Sequence, residues 1–236
     1  MKGVVLAGGL GTRLFPLTKI TNKHLLPVFD KPMIFYPVQT LIEAGIRDLL
    51  IVTGGSNAAD FQRLLGNGKA FGLRRLTFAY QNGEGGIADA LRHAEDFADG
   101  NNLVVMLGDN LVEKSIRRSL AAFQRGARIF LKSVPNPRDY GVAELRGGKI
   151  TRIVEKPKRP RSHFAVIGLY LYDAGVFDII RTLKPSARGE LEITDVNNTY
   201  LRRGELQHRF IDGWWSDAGG SPQKLLETGL RVAGMS

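Results

Sequence analysis

Four short apolar runs, each stopped by glycine or a polar turn, fall within the first 110 residues: Lys2–Ala7 (KGVVLA), Asp48–Thr53 (DLLIVT), Leu76–Tyr80 (LTFAY) and Leu103–Leu107 (LVVML). Each has the length of a strand and is too short for a helix. Their apolar residues are nearly continuous, as in strands buried on both faces. Helical periodicity fills the gaps. Val38, Leu41 and Ile42 share one face of a segment from Tyr36 to Ile46, and Ala58 to Leu65 is closed by Gly66. Ile87, Ala90, Leu91, Ala94 and Phe97 line one side of a third predicted helix. Strand and helix in alternation demand a parallel sheet with right-handed crossovers, an α/β fold. Such sheets bind ligands outside the carboxyl ends of their strands.

The remainder of the chain is more mixed. The pattern predicts a helix over Glu113–Gln124, a strand over Arg128–Val134, and a hairpin over Val142–Val154 that turns through Arg146-Gly147-Gly148-Lys149. A strand over Phe164–Tyr172 and a helix over Ala174–Leu183 follow, the helix stopped by Pro185. Thr194 is placed to cap a helix running to about Arg203. Leu206–Ile211 reads as a strand and Pro222–Val232 as a last helix. No repeat, low-complexity stretch or linker divides the chain. The expectation is one domain over 1–236 with two halves, 1–110 and 111–236.

The sequence contains no cysteine, which excludes disulfides, zinc thiolates and thiol nucleophiles. No apolar run approaches the ~18–20 residues needed to span a bilayer, and no basic leader precedes the first strand. A cytoplasmic protein without membrane partners is the simplest expectation. The net charge of +10 is unusual. The cations come in short clusters, Arg74-Arg75, Arg117-Arg118, Lys156 to Arg161 and Arg202-Arg203, without a basic helix, zinc-finger spacing or aromatic RNA-binding motif. The expectation is small anionic ligands and no nucleic acid. His93, His163 and His208 show no metal-ligand spacing.

Chemistry is therefore sought at the strand ends, first at "LAGGLGTRLFPLT", Leu6 to Thr18. Gly9 and Gly11 fit two positions of a G-x-G-x-x-G dinucleotide loop, but Leu14 stands at the third; no Lys-Ser or Lys-Thr completes a P-loop. Successive glycines still allow backbone N–H groups to form an anion nest, and Arg13 adds a permanent charge. On spacing alone the segment is either a phosphate cradle or a tight strand-to-helix turn.

The loop and the following "NKHLLPVFDKPMIFYP" resemble the sugar-1-phosphate nucleotidylyltransferases. The resemblance continues through "QNGEGGIADAL", "LGDN", "YGVAEL", "EKPKRP", "IGLYLYD", "PSARGELEITDVNN" and "GWWSDAGG", and is greatest to the glucose-1-phosphate thymidylyltransferases. It implies a Rossmann-like three-layer α/β/α fold, with a mostly parallel mixed sheet and an inserted hairpin. The first half would bind nucleotide and the second sugar phosphate. It also implies Mg²⁺, dTTP and glucose 1-phosphate as ligands, and a homo-oligomer, dimer or tetramer. Other triphosphates, UTP above all, and other hexose phosphates remain open, as do a sugar-nucleotide sensor or RNA-binding protein on the same fold.

Carried over residue by residue, Leu6, Gly8, Gly9, Gly11, Thr12 and Arg13 would surround the nucleotide, with Arg13 on the departing pyrophosphate. Lys23 would draw the two phosphates together. Gln81 and Gly86 would face the base. Asp109 and Asp217 would hold Mg²⁺, with Arg13, Lys23 and Asp109 the catalytic set. Tyr140, Gly141, Glu155, Lys156 and Gly168 would bind the sugar phosphate. Trp214 and Trp215 are expected in packing. His24 stands where the family often has glutamine, and both can hydrogen-bond a nucleotide hydroxyl. Only 16 residues follow the "WWSDAGG" motif, where longer relatives add C-terminal helices that carry tetramer packing and a second nucleotide site; the resemblance leaves such a site undecided here.

Overall fold

The computed structural model describes residues 1–235. The strands, in chain order, are β1 (Lys2–Ala7), β2 (Pro27–Val28), β3 (Lys31–Pro32), β4 (Asp48–Gly54), β5 (Arg75–Gln81), β6 (Leu103–Leu107), β7 (Asn110–Val112), β8 (Ala127–Ser133), β9 (Gly141–Arg146), β10 (Lys149–Glu155), β11 (Phe164–Tyr172), β12 (Leu206–Phe210) and β13 (Trp215–Asp217). The helices are α1 (Phe35–Glu43), α2 (Ala58–Leu65), α3 (Ile87–Arg92), α4 (Glu95–Ala98), α5 (Arg117–Ala121), α6 (Val176–Thr182), α7 (Ile193–Arg202) and α8 (Pro222–Val232).

The main sheet runs β10-β9-β11-β6-β1-β4-β5, with β8 on the other edge of β11 and β12 beyond β8. The strands β6, β1, β4 and β5 are parallel, as their alternation with helices requires; β11 is antiparallel to β6. Alternate side chains enter two cores. Val4, Leu6, Leu50, Val52, Leu103 and Val105 pack with residues of α3, α4, α6 and α7. Val5, Ala7, Leu49, Ile51, Val104 and Met106 pack with residues of α1, α2 and α5. This burial on both faces makes three layers and explains why the strand runs read as continuous apolar segments. No helix of the described residues is long and apolar enough to cross a membrane.

One fork in the sheet positions the site. Along a single edge, β11 pairs with β6 at Leu169–Tyr172 and then with β9 at Phe164–Val166. Gly168 lies where pairing changes hands. Its N–H donates to Asn110 Oδ1 at 2.9 Å. A Cβ there would lie 2.6 Å from the Leu107 side chain and 2.8 Å from Asn110 Cγ, so only glycine lets the strands diverge this closely.

Three sequence expectations change. The helix predicted from Glu113 is confined to α5, because Asn110–Val112 pairs with β13 and the Glu113 N–H continues that ladder to Trp214 O at 3.0 Å. The helix through Phe97 is split into α3 and α4 by tight bonds from His93 N to Ala90 O and from Ala94 N to Leu91 O. Its apolar face nevertheless stays in one core. Thr194 lies inside α7, with Glu192 at the cap position, and its hydroxyl is used elsewhere.

Candidate active site

A cavity of about 450 Å³ opens at the carboxyl ends of β1 and β6 and extends into the fork. Leu6, Gly8, Gly9, Thr12, Arg13, Lys23, Gln81, Gly86 and Asp109 line one part; Tyr140, Gly141, Glu155, Lys156, Gly168 and Asp217 line the other. Of the residues singled out from sequence, Gly11 alone is not in the lining. Its φ is +69°, and a Cβ there would lie 2.9 Å from Lys23 Cβ. Gly11 thus serves the loop's shape, letting it close over the Lys23 stem.

The charged centre is built from three chain segments. Lys23 Nζ donates to Asp109 Oδ2 at 2.5 Å, with both side chains nearly buried. Burial opposes ionisation of Asp109, but Lys23 and a hydrogen bond from Asn110 hold its carboxyl well below the usual range. Asp217 comes beside it through the short β7–β13 ladder. Asp217 pairs in register with Asn110, and Ala218 N donates to Asp109 O at 2.9 Å. Burial, and then the Asp109 charge, push the Asp217 carboxyl up to about 6.

Among the described residues no hydrogen-bond donor reaches the Asp217 carboxylate; the Lys224 ammonium stands 3.9 Å from Oδ2. A Cβ at Gly219 would lie 2.5 Å from Asp109 Oδ2, and one at Gly220 would lie 2.9 Å from Asp217 Oδ2, so paired glycines leave both carboxylates uncovered. Two adjacent hard oxygen donors, one of them under-satisfied, fit a divalent cation that takes its other ligands from phosphate and water. No group of three or more His, Cys, Asp or Glu suited to a metal occurs among the described residues.

His24 is buried against this centre. Burial, and then the Lys23 charge, push its imidazole down to about 3, so it is neutral at ordinary pH. Its Nδ1 lies 2.7 Å from Asn22 Oδ1, which also accepts the His24 N–H. That oxygen requires the ring proton on Nδ1 and leaves the Nε2 lone pair free. His24 lines the cavity, so this lone pair suits a ligand hydroxyl.

The other part of the cavity is tied together by residues the sequence reading left without roles. Thr194 Oγ1 donates to Glu155 Oε2 at 2.5 Å. Burial raises the Glu155 carboxyl, against this bond. Arg188 Nη2 donates to both Glu192 oxygens at 2.8 Å and stands 3.5 Å from Glu155 Oε1. Lys156 holds φ at +39°, with its N–H donated to Tyr140 O at 3.0 Å. Tyr140 Oη accepts from Lys224 Nζ at 2.5 Å, and its ring meets Trp215 edge-on at 5.3 Å. Trp215 Nε1 donates to Asn110 Oδ1 at 2.7 Å. Trp215 is therefore a wall of the cavity as well as a packing residue. Arg188 and Thr194 lie within "PSARGELEITDVNN", and Asn110 within "LGDN"; both segments were legible as motifs, but only contact distances give these residues work.

The two parts are physically joined. Leu191 N donates to Gly85 O at 2.8 Å, and Ala88 N donates to Leu191 O at 3.1 Å. Two backbone hydrogen bonds thus tie the Gly85–Gly86 turn to the Arg188-bearing loop.

Residues 2–233 match the family model described as Nucleotidyl transferase. A glucose-1-phosphate thymidylyltransferase of Actinoplanes sp. is 49% identical over 225 residues, covering 93% of this chain and 74% of the relative. One from Neisseria meningitidis is 45% identical over 226 residues, covering 93% of this chain and 78% of the relative. The chain spans about three quarters of the length of these curated relatives. A solved Bacillus anthracis structure, bound to sucrose and assigned to the glucose-1-phosphate thymidylyltransferases, superposes with a TM-score of 0.95 at 47% identity, covering 100% of this chain and 96% of that one. A UDP-glucose pyrophosphorylase bound to UDP-glucose superposes at 0.87 with 26% identity, covering 100% and 99%. The matched family model spans nearly the whole sequence, and the fold and cavity agree with it: the chain belongs to the nucleotidyl transferase family.

Proposed function

We propose that the protein transfers a thymidylyl group from dTTP to glucose 1-phosphate, giving dTDP-glucose and pyrophosphate. The observation that carries this reading is the convergence, in one cavity, of the Asp109 and Asp217 carboxylates with the cations Arg13, Lys23 and Lys156. Both substrates are anions, and their reaction depends on bringing phosphates together against repulsion. An oxygen of the sugar phosphate attacks the α-phosphorus. A new P–O bond forms, the bond to the β-phosphate breaks, and pyrophosphate leaves with the electron pair. The attacking phosphate is already ionised near neutrality, so no general base is needed.

Arg13 faces the departing pyrophosphate and stabilises its growing charge. Lys23 spans the nucleotide and sugar parts and neutralises the approaching phosphates. Lys156 grips the phosphate of the sugar, while Glu155, oriented by Thr194 and flanked by Arg188, accepts from sugar hydroxyls. Gly8 and Gly9 let backbone approach the triphosphate, and Gln81 and Gly86 read the base. Asp109 and Asp217 would hold Mg²⁺, which when bound supplies a positive charge against the α-phosphate oxygens.

Pyrophosphate release, measured across dTTP, UTP, ATP and GTP with several sugar 1-phosphates, tests the reading. Turnover is expected with dTTP and glucose 1-phosphate, and should vanish on chelation. Absence of turnover with every pair would overturn it.

A further inference from the structure

The base end of the cavity contains a hydrogen-bond constraint that the transfer chemistry does not require. Gln81, the last residue of β5, is buried. Its Nε2 donates to Asp89 Oδ2 at 2.7 Å and to Gly86 O at 3.2 Å. A carboxylate and a backbone carbonyl can only accept, so both contacts demand the amide nitrogen, and the alternative amide orientation is excluded. Both Nε2 hydrogens are consumed. The amide oxygen consequently points the other way, to the glycine loop: a Cβ at Gly8 would lie 2.5 Å from Oε1. No protein donor among the described residues bonds that oxygen, and both Gln81 and Gly8 line the cavity.

Asp89 is itself held in place. Its Oδ1 pairs with Arg92 at 2.9 Å. Gly85 packs so closely over it that a Cβ there would lie 2.4 Å from Oδ2. The carboxylate is therefore wedged between a glycine, an arginine and the Gln81 amide.

Resting on the nucleotide reading given above, we infer that Asp89 is a positioning residue for base selection: by taking up one Gln81 amide hydrogen while Gly86 O takes the other, it holds Gln81 as a pure acceptor that selects a base with a ring N–H. Thymine and uracil carry that hydrogen on N3. Cytosine presents a lone pair at the same position and meets the Gln81 oxygen with repulsion. The selection lies in the polarity of one amide, which Asp89, with the Gly86 carbonyl, sets without touching the ligand.

The test has two arms, both using pyrophosphate release with glucose 1-phosphate. In the first, Asp89→Ala is compared with the wild type for dTTP and dCTP. The expected result is a rise in KM for dTTP, an unchanged KM for glucose 1-phosphate, and a loss of dTTP-over-dCTP discrimination of about tenfold or more. Unchanged discrimination in a variant with wild-type circular dichroism would overturn the inference. The second arm needs no variant: N3-methyl-dTTP, which lacks the hydrogen, should lose roughly a hundredfold or more in kcat/KM against dTTP. Equal use of the two would overturn the inference while leaving nucleotidyl transfer intact. A wild type inert with dTTP, UTP and every sugar phosphate would instead sink the underlying functional reading, and this inference with it.

Discussion

At the scale of single residues, the active centre is a balance of buried charges. Asp109 is already neutralised by Lys23, whereas the largely buried Asp217 carboxylate has no hydrogen-bond donor among the described residues. Replacing Asp109 by Asn should lower kcat by two or more orders of magnitude, since a metal's charge stabilisation of phosphoryl-type transfer is worth several kcal/mol; steady-state kinetics at saturating substrates check this. Asp217 makes a separate prediction about stability. Its folded-state pKa, about 6, lies above the ordinary aspartate value of 3.8. The folded state therefore binds the proton more tightly, and this stabilising contribution is present at low pH and lost as pH rises through about 6. Metal-free Asp217→Asn should melt above the wild type at pH 7.5, with the gap closing toward pH 5. Added Mg²⁺ should raise the wild-type melting temperature and leave the variant's nearly unchanged. Equal melting of the two metal-free proteins at pH 7.5 would contradict the charge assignment.

At the scale of elements, local pattern and tertiary pairing divide what the sequence discloses. The limits of β1, β6, β11, α2 and α8 follow from runs, caps and glycines visible in the chain. The strands β7 and β13 do not: each has three residues, and they pair across about a hundred positions. A three-residue strand has no period to detect, and its existence depends on the partner arriving. The overlong helix predicted from Glu113 is the same miss seen from the other side, because Glu113 continues the β7–β13 ladder. The fork at Gly168 is likewise invisible locally, since a glycine in a strand says only that something approaches closely. Gly168→Ala should destabilise the protein by about 1–3 kcal/mol, as overpacking does, and should lower kcat/KM by disturbing Asn110 and Trp215. A denaturant midpoint and activity both matching the wild type would mean that the fork tolerates a side chain.

At the scale of the whole molecule, the two parts of the site differ in how far they could be read. The part at the parallel strand ends collects residues from β1, β5 and β6, so Gly8, Gly9, Gln81 and Asp109 are near one another as soon as the sheet is recognised. The other part draws on β9, β10, β11, α7 and the loop before α7, which meet only after the antiparallel strands leave the parallel sheet. Motif resemblance supplied Glu155 and Lys156 there but missed Arg188 and Thr194, because their work lies in contacts to other site residues. Gln81 teaches a related lesson: the sequence identifies the residue, while its amide is oriented by Asp89 and the Gly86 carbonyl. The central claim is that this joined cavity moves a nucleotidyl group onto a sugar phosphate. The most direct measurement follows dTTP labelled at the α-phosphorus, incubated with glucose 1-phosphate and Mg²⁺. The label should pass into dTDP-glucose in step with pyrophosphate release, and the transfer should be lost with chelator or Asp109→Asn. Label that remains in dTTP, or appears in dTMP without a sugar nucleotide, would contradict the account.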